Sequence, residues 1–448
     1  MSTTLLSAWA TTLRLQPNAV AVIDAATGRT YSRSDLDAGA EHWRQHHGSG
    51  LAGRPVLMSE PNGVEWFRVF LGLLKAGAKV VPLDPGDPLT AQRSLAVALR
   101  VGWLWSGGEL HAIASRPSRR WSGSCLVKLT SGSTGTPRAL AFTDAQMLAD
   151  GRQVCAGMDI RADDVNFGLI PFGHSYGLGN LVLPCLAQGT AIVSGAAALP
   201  HSIAEAIEQW RPTVFPAVPA LLKALVVADV RTEQLTSLRT VISAGSLLSS
   251  EIAAAFQQKF GRTVHSFYGS SETGGITYDR SGDAAITQGS VGTPLPGVQL
   301  SFGQTGRFTI ASPAVFTLGN RRRDGDGNGV HQPADLAVLN SAGELVLQGR
   351  TGRFVKIAGR RLDLGEVEHG LKTLPGVRDA LVAAHPDRAD ALAAVIAGDV
   401  SGNEIRVALR ERLASWKIPK RITVLAAFPL TARGKVDAVR LRELLAQK

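Results

Sequence analysis

The residues from Thr130 to Arg138 form the most informative stretch of this chain, because their types and spacing could bind phosphate. They read Thr-Ser-Gly-Ser-Thr-Gly-Thr-Pro-Arg and follow a mostly apolar run, Leu126–Leu129. Glycines let the backbone approach a ligand closely, and hydroxyl and amide N–H groups donate to phosphate oxygens. Arg138 adds a permanent positive charge. Because no Gly-Lys-Ser/Thr closes the stretch, a generic P-loop ATPase is disfavoured. An ordinary surface turn remains an alternative from these residues alone.

Further motifs surround this loop in a fixed order along the chain. They are Leu71–Gly86, Tyr268–Gly274 (Tyr-Gly-Ser-Ser-Glu-Thr-Gly), Pro333–Leu336, Gly349–Arg350 with Lys356–Leu362 and Glu366–Glu368, and Pro429–Val436. Together with the loop they resemble the adenylate-forming superfamily, which comprises acyl-CoA synthetases, aryl-acid ligases, peptide-synthetase adenylation domains and luciferases. The resemblance covers nearly the whole chain. It implies an enzyme that joins a carboxylic acid to the α-phosphate of ATP, releases pyrophosphate and passes the acyl group to a thiol.

The resemblance also implies an ATP site. Its residues are Thr130, Ser131, Gly132, Ser133, Thr134, Gly135, Arg138, Gly245, Tyr268, Gly269, Ser271, Asp335 and Arg350. Tyr268 would stack on adenine, and Ser271 would keep the hydroxyl that contacts the α-phosphate. Asp335 would accept hydrogen bonds from the ribose hydroxyls, and Arg350 would donate to the same sugar.

Two residues are predicted to be catalytic, Lys435 and Glu272. Joining a carboxylate to a phosphate brings two anions together, so the site must neutralise charge. By resemblance Lys435 bridges the two groups, whereas a lone Gly-Lys near a chain end also fits an exposed surface lysine. Glu272 would bind Mg²⁺ together with the triphosphate. A carboxylate that caps a helix or interacts with a helix dipole is the alternative for Glu272.

The substrate pocket is assigned to Phe172, Gly173, His174, Ala244 and Gly274. His174 matches the family's histidine at the acid-binding tunnel, although a lone histidine is also common as a structural residue. Gly173 stands where amino-acid-activating members usually carry an aspartate that holds the substrate amine. Glycine has no such group, so an amino acid is not expected as the substrate. An apolar or aromatic acid is favoured by the nearby apolar residues Leu169, Ile170, Phe172, Leu178 and Leu181.

The thiol-transfer half of the site departs from the family pattern. Gly352 replaces the usual hinge aspartate, which gives a more permissive backbone there. Gly359 is predicted to line the tunnel for the thiol arm, which belongs to CoA or to the phosphopantetheine of an acyl carrier protein. Because of this departure, adenylation without thioester formation remains an alternative. A catalytically silent nucleotide-binding or scaffold homologue is a further alternative, which the presence of both Lys435 and Glu272 disfavours.

Short apolar segments alternate with helix-like segments along the first three quarters of the chain. Examples are the strands Val56–Met58 and Val80–Leu83 on either side of the helical pattern Val64–Leu74. This alternation predicts an α/β fold with layered, mostly parallel sheets. We expect a large N-terminal domain, residues 1–349, followed by a small mobile α+β domain, residues 350–448.

Charge is concentrated in the C-terminal part of the chain. Residues 350–448 contain 19 Lys and Arg against 11 Asp and Glu, a net charge of +8 out of +10 in total. A basic segment suits CoA phosphates or an acidic carrier protein, although a solvated surface without a partner remains an alternative. Nucleic acid is not expected, because the segment lacks interleaved aromatic residues and any nucleic-acid motif.

The lack of signal-peptide features and the few scattered cysteines predict a cytoplasmic protein. The first ten residues lack the basic and apolar regions of a signal peptide, and three scattered cysteines form no disulfide or zinc pattern. No apolar run reaches the roughly 18 residues needed to span a bilayer, so stable membrane insertion is not expected.

Overall fold

The computed structural model describes residues 4–446 except 84, 114–120, 131–137, 288, 304–305, 317–328, 351–353, 358–359, 389–390, 411–412, 414 and 432–435. Its internal packing divides the chain into two compact units. Unit 1 comprises Met1–Ser301, Thr309–His331 and Leu339–Val346, and unit 2 comprises Phe302–Phe308, Gln332–Val338 and Leu347–Lys448. The single domain boundary between residues 349 and 350 stays a prediction.

The strands are numbered in chain order. The first fifteen are β1 (Val20–Asp24), β2 (Thr30–Ser32), β3 (Pro55–Ser59), β4 (Lys79–Leu83), β5 (Trp103–Ser106), β6 (Glu109–Ala112), β7 (Leu126–Thr130), β8 (Arg138–Phe142), β9 (Val165–Phe167), β10 (Ala191–Ser194), β11 (Val214–Ala217), β12 (Thr240–Ser243), β13 (Val264–Ser270), β14 (Gly274–Tyr278) and β15 (Thr293–Pro294). The others are β16 (Gln299–Phe302), β17 (Phe308–Ala311), β18 (Val330–His331), β19 (Asp335–Leu339), β20 (Leu345–Arg350), β21 (Phe354–Ile357), β22 (Arg360–Asp363), β23 (Val377–Ala384), β24 (Leu392–Gly398) and β25 (Arg421–Leu425).

The α-helices are numbered in the same way. They are α1 (Leu5–Leu15), α2 (Arg33–His47), α3 (Val64–Lys75), α4 (Leu89–Leu99), α5 (Asp144–Met158), α6 (Ser175–Gly177), α7 (Leu183–Gln188), α8 (Pro200–Trp210), α9 (Pro219–Val227), α10 (Ser250–Phe260), α11 (Ala284–Thr287), α12 (Leu364–Lys372), α13 (Gly402–Arg410) and α14 (Ala438–Ala446). A π-helical turn, Leu178–Val182, joins α6 to α7, and short 3-10 turns lie at Thr232–Leu235 and Ser415–Lys417.

Two mixed sheets form the framework of unit 1. Among the described residues, the larger has nine strands in the order β15-β14-β13-β12-β11-β9-β10-β1-β2, and the smaller has six in the order β6-β5-β3-β4-β7-β8. The strands from β13 across to β1 are parallel, as are β5, β3, β4 and β7, whereas the remaining strands pair antiparallel at the edges. The expected α/β fold with mostly parallel sheets is therefore confirmed.

The predicted alternation of strands and helices is found in the same segments. Val56–Met58 lies in β3, Val64–Leu74 in α3 and Val80–Leu83 in β4. All five residues of β3 are buried, as expected for a parallel strand that is covered on both faces. Helices α8 and α10 bury Ile207 and Phe256 in one continuous core with strand residues of the larger sheet.

Unit 2 contains a three-stranded sheet, β23-β24-β25, with helices on both faces. The side chains of β24 alternate between two cores, because successive residues of a strand point to opposite faces. Ile396 packs in the core that includes Val367 of α12, whereas Val395 packs with Leu441 of α14. The expected α+β character of the C-terminal segment is therefore confirmed. Among the described helices of the whole chain, none combines the length and apolar composition needed to cross a membrane.

Candidate active site

The predicted phosphate-binding loop connects two antiparallel strands. Thr130, the last residue of β7, is paired with Arg138, the first residue of β8. The strands therefore hold both ends of the loop in register. The predicted contacts of Ser131, Gly132, Ser133, Thr134 and Gly135 lie outside the described residues.

Glu272 lies in the turn that joins β13 to β14. Its neighbours close the turn through a hydrogen bond of 3.0 Å between the hydroxyls of Ser270 and Thr273. The backbone oxygen of Glu272 accepts a hydrogen bond of 2.9 Å from the N–H of Phe316. Because the turn leads from strand to strand, the alternative in which Glu272 caps a helix is wrong. The Glu272 side chain is 21% exposed, and its Oε1 lies 3.9 Å from Arg138 Nη1.

Tyr268 and Gly269 lie near the end of β13, just before this turn. Tyr268 is half-buried and paired with Thr277 of β14. At Gly269 an added Cβ would come within 2.7 Å of the Gly274 backbone oxygen, closer than real Cβ atoms approach such an atom. Glycine is therefore required at this position by the packing of the hairpin itself.

The segment before the predicted acid pocket is held by Asn62, which follows β3. Its Nδ2 donates to the backbone oxygens of Gly168 at 3.1 Å and Ile170 at 2.8 Å. Its Oδ1 accepts from the N–H of Phe172 at 2.8 Å. One side chain thereby satisfies three backbone groups of this segment and fixes its path.

The predicted pocket residues occupy different environments. The ring of Phe172 is fully buried against Trp66 and Phe67. At Gly173 an added Cβ would lie 3.0 Å from Pro82 Cβ and 3.2 Å from the backbone oxygen of Leu83, so the end of β4 fills this space. A side chain at position 173 would therefore be in tight contact with the end of β4.

His174 directly precedes the short helix α6 and caps it, because its Nδ1 accepts a hydrogen bond of 3.4 Å from the N–H of Tyr176. The next residue, Ser175, donates from its hydroxyl to the hydroxyl of Ser271 at 2.9 Å. This bond connects the predicted acid-binding segment directly to the turn that carries Glu272.

Ala244 and Gly245 follow β12. Ala244 is buried and donates its N–H to the backbone oxygen of Ala217 at 3.2 Å. Gly245 is exposed and has a φ of +86°, which favours glycine because it carries no Cβ. Both residues therefore lie at the carboxyl ends of the parallel strands of the larger sheet, as does the Glu272 turn.

The remaining predicted site residues lie in unit 2 or outside the described residues. Asp335 begins β19 and Arg350 ends β20, and these neighbouring strands form a separate two-stranded sheet. Both residues lie in unit 2. Gly352, Gly359 and Lys435 lie outside the described residues, and their roles stay predictions.

Two buried charged residues near the Glu272 turn carried no distinctive sequence signal of function. They are Lys128 of β7 and Asp150 of α5, with Nζ and Oδ2 3.8 Å apart. Burial lowers the pKa of Lys128 and raises the pKa of Asp150, while the attraction between the two groups opposes both shifts. The only available hint was one lysine within an apolar strand pattern, which is unusual for a covered strand.

The residues around Glu272 fit a magnesium ion that is bound together with phosphates. Mg²⁺ is usually held by one or two carboxylates plus phosphate and water oxygens rather than by a cage of protein ligands. Glu272 offers a partly exposed carboxylate, Ser271 precedes it in the same turn with a hydroxyl, and Thr130 carries a hydroxyl at the end of β7. Within the described residues no cluster of three or more His, Cys, Asp or Glu side chains could hold a metal by itself.

Comparison with known proteins gives matches along most of the chain. Residues 110–302 match the family model described as AMP-binding enzyme, and residues 366–435 match the model described as AMP-binding enzyme C-terminal domain. Together the two models cover more than half of the sequence. The first contains the Glu272 turn and the phosphate-binding hairpin, and the second ends at Lys435.

Individual relatives extend this similarity. The chain is 27% identical over 473 residues to a feruloyl-CoA synthase from an Amycolatopsis species, covering 94% of this chain and 95% of that protein. It is 27% identical over 368 residues to an L-proline–[L-prolyl-carrier protein] ligase from Streptomyces coelicolor, covering 75% and 69%. Among solved structures, ATP-bound MatB from Rhodopseudomonas palustris superposes with a TM-score of 0.83 at 20% identity, covering 100% of this chain and 99% of that one.

Proposed function

This chain belongs to the adenylate-forming family of AMP-binding enzymes, and we propose that it activates an apolar or aromatic carboxylic acid. An oxygen of the substrate carboxylate attacks the α-phosphorus of ATP, the bond to the bridging oxygen breaks, and pyrophosphate leaves. A thiol sulfur then attacks the carbonyl carbon of the acyl-adenylate, loses its proton to the surroundings and displaces AMP. The product is a thioester.

The observation that carries this proposal is the arrangement around the Glu272 turn. Arg138 Nη1 lies 3.9 Å from Glu272 Oε1, so a cation from one hairpin faces a carboxylate from another. Such a pair is suited to binding a polyanion in complex with a metal ion, because Arg138 attracts phosphate and Glu272 attracts the metal. When bound there, Mg²⁺ would neutralise part of the triphosphate charge during attack.

The hydroxyl contact between Ser175 and Ser271 supports the placement of the acid next to the phosphates. The bond is 2.9 Å long and joins the segment Phe172–Gly177 to the Tyr268–Gly274 block. We assign the acid to the first segment and the α-phosphate to Ser271. Adenylation needs its two reactants in a fixed relative orientation, and a direct link between their binding segments provides that orientation.

An acid without an amino group is favoured by Gly173. This position offers no carboxylate for a substrate amine, and Pro82 and Leu83 leave little space for one. The relative named feruloyl-CoA synthase supports an aromatic acid. We therefore propose an aryl or fatty acid as the substrate class.

The acceptor thiol belongs to a carrier protein or to CoA. The net charge of +8 in residues 350–448 favours an acidic carrier protein, since opposite surface charges speed docking. The names of the relatives support both acceptors, one being a CoA synthase and the other a carrier-protein ligase. Gly359 is proposed to line the path of the thiol arm, and Gly352 to act as the pivot.

For the other predicted site residues we propose the roles that the family resemblance implies. Lys435 would contact the reacting carboxylate and the α-phosphate, and its charge would stabilise the transition state. Tyr268 would stack on adenine, and Asp335 and Arg350 would bind the ribose. The residues Ser131–Gly135 would donate to phosphate oxygens through hydroxyl and amide groups.

The direct test is ATP–pyrophosphate exchange with fatty, aryl and amino acids, including proline. We expect exchange with at least one aryl or fatty acid and none with amino acids. Thioester formation is then measured with CoA and with a phosphopantetheinylated carrier protein, at low and high salt. Carrier-dependent turnover should fall as salt screens docking, whereas exchange should change little. Exchange without any thioester would reduce the function to adenylation alone, and ATP binding without exchange would identify a silent homologue.

A further inference from the structure

Lys128 and Asp150 form an ion pair inside unit 1 that the proposed chemistry does not use directly. Their side chains are only 2% and 3% exposed, with Lys128 Nζ 3.8 Å from Asp150 Oδ2. Lys128 Nζ also lies 4.4 Å from the centre of the Phe142 ring, at a distance suited to a cation–π contact. The lysine is therefore held between an anion and an aromatic face.

Asp150 touches the strand that leaves the Glu272 turn. Its Oδ1 accepts a hydrogen bond of 3.0 Å from the N–H of Gly275. At Gly274, where φ is +71°, an added Cβ would overlap the Asp150 carboxylate. The carboxylate therefore fixes the first two residues of β14, which immediately follow the turn.

Burying two charges is costly, and this pair is not arranged for maximum stability. A separation of 3.8 Å is longer than a good charge-assisted hydrogen bond, and Asp150 Oδ2 accepts no hydrogen bond among the described residues. Apolar side chains of similar volume often stabilise a core as well or better than such a pair. The position of the pair, rather than its stability, is therefore the feature to explain.

The ion pair lies between two predicted ATP-binding segments, the loop after β7 and the Glu272 turn. Lys128 stands two residues before Thr130, where the predicted phosphate-binding loop begins. Asp150 contacts the residues that end the Glu272 turn. The charge of Lys128 also interacts favourably with the carboxylate of Glu272. The pair thus connects β7, α5 and β14 at one place.

We propose that Lys128 and Asp150 are positioning residues that hold the Glu272 carboxylate in place for Mg²⁺ and ATP. Lys128 orients the carboxylate of Asp150, which in turn fixes the exit of the turn through Gly275 and Gly274. This inference rests on the proposed function, because it gives Glu272 a metal to bind. We assign neither residue of the pair a contact with the reacting atoms.

The test uses substitutions that change charge with little change in volume. Asp150→Asn keeps an oxygen that accepts from Gly275 but removes the negative charge. Lys128→Met removes the positive charge, and the double variant leaves no unpaired buried charge, so it is the variant most certain to fold. Asp164→Asn is the matched control. It weakens the ion pair between Asp164 and Arg239, whose nearest atoms are 2.5 Å apart. This pair lies at the amino ends of β9 and β12, away from the Glu272 turn at the carboxyl ends.

The measurements are the melting temperature, calorimetric ATP binding over a range of Mg²⁺ concentrations, and kcat and KM in pyrophosphate exchange. We expect Asp150→Asn and the double variant to need about tenfold more Mg²⁺ for half-maximal ATP binding, a factor that corresponds to about 1.4 kcal/mol. The KM for the acid should stay near that of the wild type. Asp164→Asn should lower the melting temperature without moving the Mg²⁺ midpoint.

The outcomes separate this inference from the proposed function. Folded pair variants with the Mg²⁺ midpoint of the wild type would overturn the positioning role while leaving the proposed function intact. A wild-type protein that binds no ATP at any Mg²⁺ concentration would overturn both. A shift of equal size in Asp164→Asn would show that loss of stability alone moves the midpoint, and it would also overturn the positioning role.

Discussion

Arg138 Nη1 lies 3.9 Å from Glu272 Oε1, although the two residues are more than 130 positions apart in the chain. Arg138 begins the second strand of one hairpin, and Glu272 lies in the turn of another. The Arg138 guanidinium also packs 5.6 Å from the centre of the Phe316 ring. The backbone N–H of Phe316 in turn binds the backbone oxygen of Glu272. Phe316 therefore contacts both members of the pair and keeps them together.

We predict that Glu272→Gln weakens Mg²⁺-dependent pyrophosphate exchange by at least tenfold. The substitution keeps the size of the side chain but removes the anionic oxygen that Mg²⁺ prefers. Rates measured over a Mg²⁺ titration provide the check. Glu251→Gln, an exposed position in the first turn of α10, is the control and should behave as the wild type. An unchanged titration for Glu272→Gln would remove this residue from the site.

Ser175→Ala is expected to reduce kcat/KM for the acid by roughly fivefold. The lost hydrogen bond to Ser271 is of a kind that contributes about 1 kcal/mol. The loss should appear in exchange kinetics, with a melting temperature close to that of the wild type. Ser34→Ala, which removes an exposed hydrogen bond to the backbone oxygen of Pro17, serves as the matched control. Equal kinetics in both variants would contradict a link between the acid and phosphate segments.

Lys435→Ala should abolish acyl-adenylate formation while ATP binding and the melting temperature remain largely unchanged. Its ammonium is proposed to act where charge develops in the transition state, so the loss should appear in kcat. Exchange is the measurement, with calorimetric ATP binding alongside. Lys420→Ala removes an exposed lysine of unit 2 and is the charge-matched control. Exchange within about tenfold of the wild type, or roughly 1.4 kcal/mol, would contradict the assignment.

Gly173→Asp is not expected to create an amino-acid-activating enzyme. The new Cβ would already crowd Pro82 and the backbone of Leu83, and overpacking of this kind typically costs about 1–3 kcal/mol. We expect a lower melting temperature and no exchange with amino acids. Gly173→Ala, which adds only the Cβ, separates crowding from charge. Gain of exchange with an amino acid at unchanged stability would show that the backbone moves to admit the side chain.

Gly359→Trp should block thioester formation and spare pyrophosphate exchange, because a large side chain would fill the proposed path of the thiol arm. Gly352→Pro should also impair the second step more than the first, since proline fixes φ at the proposed pivot. Gly102→Trp places the same ring at a glycine with open space around it and is the control. Equal loss of both steps in Gly359→Trp and Gly352→Pro would point to destabilisation instead of domain movement.

The sequence alone was sufficient to predict these secondary-structure elements and to locate the local motifs. Alternating apolar segments predicted β3, α3 and β4, because burial of a strand or of one helix face leaves a short-range pattern. The Tyr268–Gly274 motif likewise predicted a functional turn after a strand. In both cases the information lies within a few neighbouring residues.

The contacts that hold the site could not be predicted in this way. Gly275 and Asp150 are 125 residues apart, and Phe172 and Asn62 are 110 apart. Their pairing depends on the order of strands within the sheets, which a single sequence does not specify. An aspartate in a helix and an asparagine after a strand are both ordinary surface residues until that order is known.

The division of the chain into units limits where the boundaries of an expressed fragment can be placed. Unit 2 includes Phe302–Phe308 and Gln332–Val338, which precede residues 347–448 by up to 45 positions. A fragment expressed from residue 350 onward would lack both segments, all of β19 and all but the last residue of β20. Work that needs the C-terminal unit as a separate reagent, for example to map a carrier surface, should therefore begin upstream of Phe302 or graft the missing strands onto the fragment.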